Sequence, residues 1–424
     1  MSRIFLMLAL VIGGELVFGL AFNVPRFFKP TMLDVFGISN TQLGDMFAMY
    51  GIVALLAYFP GGAIADRFSA RSLIAFSLVA TSAGGLYMAT IPGPFQMRLL
   101  YAYWGLTTIF LFWGALIKAT RDWGGERSPA TAFGILDGGR GLVAALVSFI
   151  GIYILASYLP SEVELATAAD REAGFRVVIY YYSGLTFLAG VLAWFAIPDG
   201  EQKSVEWRAL LRGMGAVSRR PIIWAQACLI ICAYCGYKGL DNYGLYAEQV
   251  LGKDEITAAL FSNYGGWTRP VAAVLAGVLA DRFGAARSIA ALFIFLCSTF
   301  TVWTLIEPSG VGLAIIYLNF FATFAAVYAL RGVYFALLEE DRTPTHLTGA
   351  AIGLVSLVGF MPDVFFGPVT GRILDANPGI VGFQNYFLFL AVVFAIGIAM
   401  VMCLVWLRRK GGDKIWDESA EPQV

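Results

Sequence analysis

Long apolar runs recur along almost the entire chain, each near twenty residues and each bounded by Gly, Pro or a charge, which leaves a lipid bilayer as its main solvent. A helix rising about 1.5 Å per residue needs ~20 apolar residues to cross the hydrocarbon layer, so 424 residues hold roughly a dozen crossings with short connections. Composition agrees: 59% of residues are hydrophobic and 14% charged, against about 25% charged in soluble domains. The runs predict helices at about 4–24, 41–65, 72–91, 95–120, 130–157 and 174–197, then about 221–247, 255–280, 288–306, 311–338, 347–374 and 382–407. The expected fold is all-α and integral to the membrane, with twelve spans, six in each half of the chain. No small-residue cleavage site precedes Phe22-Asn23-Val24-Pro25, so the first run is expected as a retained span.

The most charged long stretch, 199–220, is expected to link an N-terminal bundle at 1–198 to a C-terminal bundle at 221–407, followed by a cytoplasmic tail at 408–424. Roughly 17 Lys/Arg fall on one side of such a topology and roughly 7 on the other, which places the linker and both termini in the cytoplasm, in the inner or plasma membrane. Formal net charge is +0, so no bulk basicity points to nucleic acid. Cys228, Cys232 and Cys235 share one apolar run without a histidine and read as small packing residues, so no metal and no cofactor is assigned. The lipid bilayer and a small solute are the expected partners of a monomer.

A long segment is repeated. Gly62-Ala63-Ile64-Ala65-Asp66-Arg67-Phe68-Ser69-Ala70-Arg71-Ser72 recurs as Gly277-Val278-Leu279-Ala280-Asp281-Arg282-Phe283-Gly284-Ala285-Ala286-Arg287-Ser288, each copy closing the second span of its half. Duplicated halves are common in secondary transporters. Both copies resemble the loop signature of the major facilitator superfamily between its second and third helices. The resemblance implies two bundles rocking about a midplane site, a cavity lined by the first, fourth, seventh and tenth helices, and a cytoplasmic gate at Asp66, Arg67, Arg71, Asp281, Arg282 and Arg287. Topological anchoring on the positive side is the other reading of those six. The chain departs from the family at Gly105, preceded four positions earlier by Tyr101 rather than Arg, and in a glycine-rich fifth helix (Gly134, Gly138, Gly139, Gly141) without the Gly-Pro of drug antiporters. The run Ala115 to Trp123 and the stretch Arg331-Gly332-Val333-Tyr334 are similar to those of bacterial members that carry sugar acids, sulfosugars or organophosphates.

Ionisable residues at bilayer depth cost about 2.5–3.5 kcal/mol each on insertion scales, so each needs a partner or a cavity. Lys118 and Arg331 fall at near-equivalent places in the two halves and suggest a cationic clamp for an anion; alternatively Lys118 snorkels to the interface and Arg331 pairs with Glu339 or Glu340. Arg269, in a helix loosened by Gly265, Gly266 and Pro270, either binds substrate or pairs with Asp241 or Asp363. Asp137 with Arg140, and Lys238 with Asp241, are three apart and can close pairs on one helical face. Glu15 lies among glycines with no base within a turn, so it meets Arg140, Arg269 or water, or carries a proton. Glu15, Asp137 and Asp241 are the candidate proton-coupling groups. Tyr328, one turn before Arg331, and Trp113 are the aromatic candidates for the cavity.

These residues make a secondary active carrier of a small organic anion, proton-coupled or anion-exchanging, the leading expectation. Export of a cationic or amphiphilic solute is the alternative within the same fold, and a non-transporting membrane sensor the alternative in another class. With no nucleotide-binding loop and no nucleophile-base set, the sequence does not read as an enzyme.

Overall fold

The computed structural model describes residues 3–125, 129–199, 214–334, 336–337 and 345–411. Its helices, in chain order, are α1 (Arg3–Leu16 continued by Gly19–Phe27), α2 (Asn40–Arg67), α3 (Ala70–Met88), α4 (Pro94–Gly124), α5 (Pro129–Tyr158) and α6 (Ala168–Ala196), then α7 (Pro221–Gln249), α8 (Glu255–Gly266 and Arg269–Phe283), α9 (Ala285–Leu305), α10 (Val311–Val333), α11 (Thr345–Gly359 and Pro362–Ala376) and α12 (Ile380–Gly411). Among the described residues, eight helices are long and apolar enough to cross a membrane, and the bent α1 makes a ninth. The more polar α2, α3 and α8 complete the twelve-helix fold. Most of the linker, 200–213, and the tail from 412 lie outside the described residues.

Local chemistry sets the helix starts. Ser39 and Gln42 form a capping box on α2, and Thr167 and Asp170 form one on α6. Pro94 and Pro221 stand in the first turns of α4 and α7, where a missing N–H costs nothing. Chemistry also sets the breaks. The two segments of α1 bend by 42° before a π-helical turn at Gly19–Asn23, and α8 and α11 break just ahead of Pro270 and Pro362. The short helix Lys29–Phe36 follows α1, so the chain continues helically beyond the span expected to close near residue 24.

Each half buries its own apolar interior: α3 packs on α6 and α2 on α4, while α9 packs on α12 and α8 on α10. The halves meet along α2–α11 and α5–α8. At the first seam the backbones touch, because glycines face each other. A Cβ at Gly44 would lie 2.2 Å from the Gly367 carbonyl oxygen, and one at Gly51 2.6 Å from the carbonyl carbon of Asp363. The described hydrogen bonds and ion pairs between the halves run from this seam to mid-depth, on the side away from the chain termini, which we term the distal side. There Asp375, at the end of α11, accepts from the Asn40 and Thr41 amides at 3.2 and 2.7 Å and so caps α2 from the opposite half.

Candidate substrate chamber

The π-helical turn of α1 carries Asn23 back over Glu15, whose carboxylate accepts from Asn23 Nδ2 at 3.0 Å and from Arg140 Nε at 3.2 Å. The Arg140 guanidinium also lies over the Phe18 ring, 5.5 Å from its centre, and Trp113 meets that ring edge-on at 6.1 Å. From α8, Arg269 Nη2 donates to Asp137 Oδ1 at 2.6 Å across the α5–α8 contact. The glycines of α5 make this approach feasible: a Cβ at Gly141 would stand 2.7 Å from Arg269 Cδ, and one at Gly139 2.8 Å from Val11. Asn263 holds the same contact together, its amide donating to Ala145 O and Ser148 Oγ at 2.9 and 2.7 Å.

Arg331 faces the same space from α10. Its guanidinium stacks on Tyr237 of α7, 4.0 Å from the ring centre. Among the described residues no carboxylate lies within ion-pair distance of Arg331, and its buried Nη1 has no hydrogen-bond partner. Tyr328 completes the wall, edge-on to Tyr237 at 6.3 Å and 5.8 Å from the Arg269 guanidinium. Among the described residues this cluster holds three bases, Arg140, Arg269 and Arg331, and two acids, Glu15 and Asp137, leaving one positive charge in excess.

Several expectations change. Asp137 and Arg140 do not pair with each other: α8 and α1 bring better-aligned partners, Arg269 and Glu15. Arg269 pairs with neither Asp241 nor Asp363, which instead flank Lys238 at 3.6 and 3.4 Å. Lys118 donates to the Ala65 carbonyl at 3.0 Å, at the end of α2, and no described contact joins it to Arg331. Of the gate residues, Arg71 bonds Asp199 at 2.6 Å and covers Trp194, while Arg67, Asp281, Arg282 and Arg287 are exposed. The side chain of Asp66, and Glu339 and Glu340, lie outside the described residues.

Distal to the chamber is a second charged layer. Arg26 Nε donates to Asp241 Oδ1 at 2.5 Å and its Nη1 to the Tyr237 hydroxyl at 3.1 Å, so Tyr237 contacts a guanidinium from each half. Lys238 lies over the Phe22 and Phe47 rings at 4.2 and 4.7 Å, and Tyr234 donates to Asp363 at 3.1 Å. Further out, Glu255 accepts from Arg171 at 2.8 Å and Thr31 at 2.9 Å. Arg26 and Lys29 escape sequence reasoning because Pro25 reads as the end of a span, and Tyr237 because nothing around it on α7 sets it apart. The signal was Phe27-Phe28, two large apolar residues between bases where a solvated loop carries none.

A two-bundle membrane fold with a cluster of charged side chains where its halves meet is the architecture of a solute carrier. The chain belongs to the Major Facilitator Superfamily, whose model matches residues 11–366. It is similar to inner membrane proteins YqcE (27% identical over 419 residues, covering 94% of this chain and 93% of the relative) and YihN (25% over 409 residues, 93% and 94%), both from Escherichia coli K12. A partial match, 27% over 260 residues and 59% of this chain with 56% of the relative, is to a probable nitrate/nitrite antiporter, NarK1, of Thermus thermophilus. The fold is similar to the crystal structure of the nucleoside transporter NupG, with a TM-score of 0.72 at 14% identity over 96% of this chain and 99% of that one. Membership of this family makes the chain a membrane transporter, and the likeness to the solved structure is one of fold.

Proposed function

We propose that the chain is a secondary carrier of a small organic anion in the inner membrane, with Arg331 as the principal charge that meets the cargo. The carrying observation is that Glu15 and Asp137 are each engaged by a base, while among the described residues Arg331 stacks on the Tyr237 ring and meets no carboxylate. A largely desolvated guanidinium without a counter-charge is costly, and an anion supplied from solution is its simplest compensation. Arg269, Arg140, Tyr328 and Trp113 shape the same space, whereas Lys118 holds the end of α2. Names of relatives agree on two points: two are inner membrane proteins and one is a probable anion antiporter. With the Lys/Arg bias placing the termini in the cytoplasm, the distal seam faces outward, and this state closes the outer side.

Alternating access follows if the halves rock about the chamber, with Glu15–Arg140 and Asp137–Arg269 as pairs that a proton or the cargo opens. The excess of base over acid opposes the cation-exporter reading. The test is uptake and binding with Arg331→Ala, measured with gluconate, nitrate and glycerol 3-phosphate. Losing one charge-assisted contact worth ~1.5–3 kcal/mol should weaken binding by about tenfold to a hundredfold while the protein stays monodisperse. Undiminished binding and flux in that variant would remove the anion reading, as would stabilisation of the wild type by organic cations alone.

A further inference from the structure

Five bases are buried in the described structure: Arg26, Lys29, Arg140, Lys238 and Arg269. Four of them stand in ion pairs; Lys29 does not, and its ammonium donates to the neutral amide oxygen of Asn242. An ammonium has three donors, and a buried charge served by one amide is as costly as the one on Arg331. Lys29 lines a cavity of about 20 Å³, room for a single water-sized group, shared with Asn40, Lys238, Asp241, Asn242 and Thr370. Asp241, the one carboxylate lining it, is already engaged by Arg26 at 2.5 Å and Lys238 at 3.6 Å. Asn40 Oδ1 is buried there without a hydrogen-bond partner, while its amide nitrogen donates to Asp375 at 2.9 Å.

We propose that Lys29, Lys238 and Asn40 form a second anion subsite, distal to the chamber, which holds the charged head of a hydroxylated anion as it passes between the distal face and Arg331. This rests on the anion reading of the chamber. The two ammonium groups supply the charge, and the vacant acceptor on Asn40 suits a hydroxyl donor on the cargo, as in a sugar acid or a glycerol phosphate. At about 20 Å³ the subsite is collapsed here, because Gly44 and Gly367 press α2 onto α11 beside it; parting that seam enlarges it. The anion therefore has two resting places, one at Arg331 and one in the cavity between Lys29 and Asp241.

The experiment is transport in proteoliposomes of uniform orientation, with gluconate, nitrate and glycerol 3-phosphate presented to one face at a time. Lys29→Gln should raise the KM from the distal face about tenfold or more and leave the KM from the opposite face within about twofold, with Lys29→Arg close to wild type. Equal changes at both faces, or none, overturn the subsite. Should Lys29→Gln fail to insert, Asn40→Leu decides: the distal KM should rise severalfold for gluconate and glycerol 3-phosphate but not for nitrate, which has no hydroxyl, and an unmoved ratio overturns the assignment. If the wild type moves none of the three anions, the subsite falls together with the anion reading; flux that is indifferent to Lys29 removes the subsite alone.

Discussion

At the scale of single residues, the chamber works by unequal pairing. Asp137 answers Arg269 and Glu15 answers Arg140, and on the proposed anion reading Arg331 is the charge left for cargo. One excess positive charge matches a monoanion. Asp137→Asn should therefore change selectivity as well as stability: the excess rises to two, and glycerol 3-phosphate should gain on gluconate by about tenfold in competition assays, the worth of one added charge-assisted contact. The stability loss should fall below the ~3–5 kcal/mol typical of breaking a fully buried pair, because the Asp137 side chain is 36% exposed. An unchanged ratio of the two inhibitors would show that Asp137 and Arg331 do not share the cargo. Tyr237 is the residue the sequence hid most completely: nothing local marks it among many tyrosines, and its importance comes from Arg26 and Arg331 arriving from opposite halves.

Among the elements, the α2–α11 seam sets how tightly the distal side closes. Replacing Gly by Ala inside a helix ordinarily stabilises it by about 0.5–1 kcal/mol. At Gly44 the added carbon would strike the Gly367 carbonyl, so Gly44→Ala should push the distal side open. A cysteine at Thr370 should then react severalfold faster with a membrane-impermeant thiol reagent added distally; an equal rate would show that something other than this contact closes the seam. The helices themselves were legible, since apolar length and bounding Gly or Pro identify spans, and the breaks in α8 and α11 fall at prolines. Pair partners were legible only in part: Lys238 meets Asp241, three positions on, and Glu15 meets Arg140, one of the bases open to it, whereas Asp137 and Arg269 take partners the spacing did not offer. Periodicity proposes neighbours three or four residues apart, whereas Glu15–Arg140, Asp137–Arg269 and Arg26–Asp241 join residues 125, 132 and 215 positions apart. Candidates were recognisable as charges at bilayer depth, and only the packing of α1, α5, α7, α8 and α10 decides which charge is left over.

For the whole molecule, the cost of moving an uncompensated charge falls on the return step of the cycle. On the proposed reading, a carrier holding its anion is balanced around Arg331, while an empty one must reorient with a largely desolvated cation, a penalty of several kcal/mol. Exchange of internal for external gluconate should accordingly outrun net efflux into anion-free medium by about tenfold or more; equal rates would mean that a proton or another ion neutralises the empty form. The backbone contact of Gly44 with Gly367 has an electrical consequence as well. Two main chains pressed together leave no file of water between them, so neither protons nor chloride leak along that line.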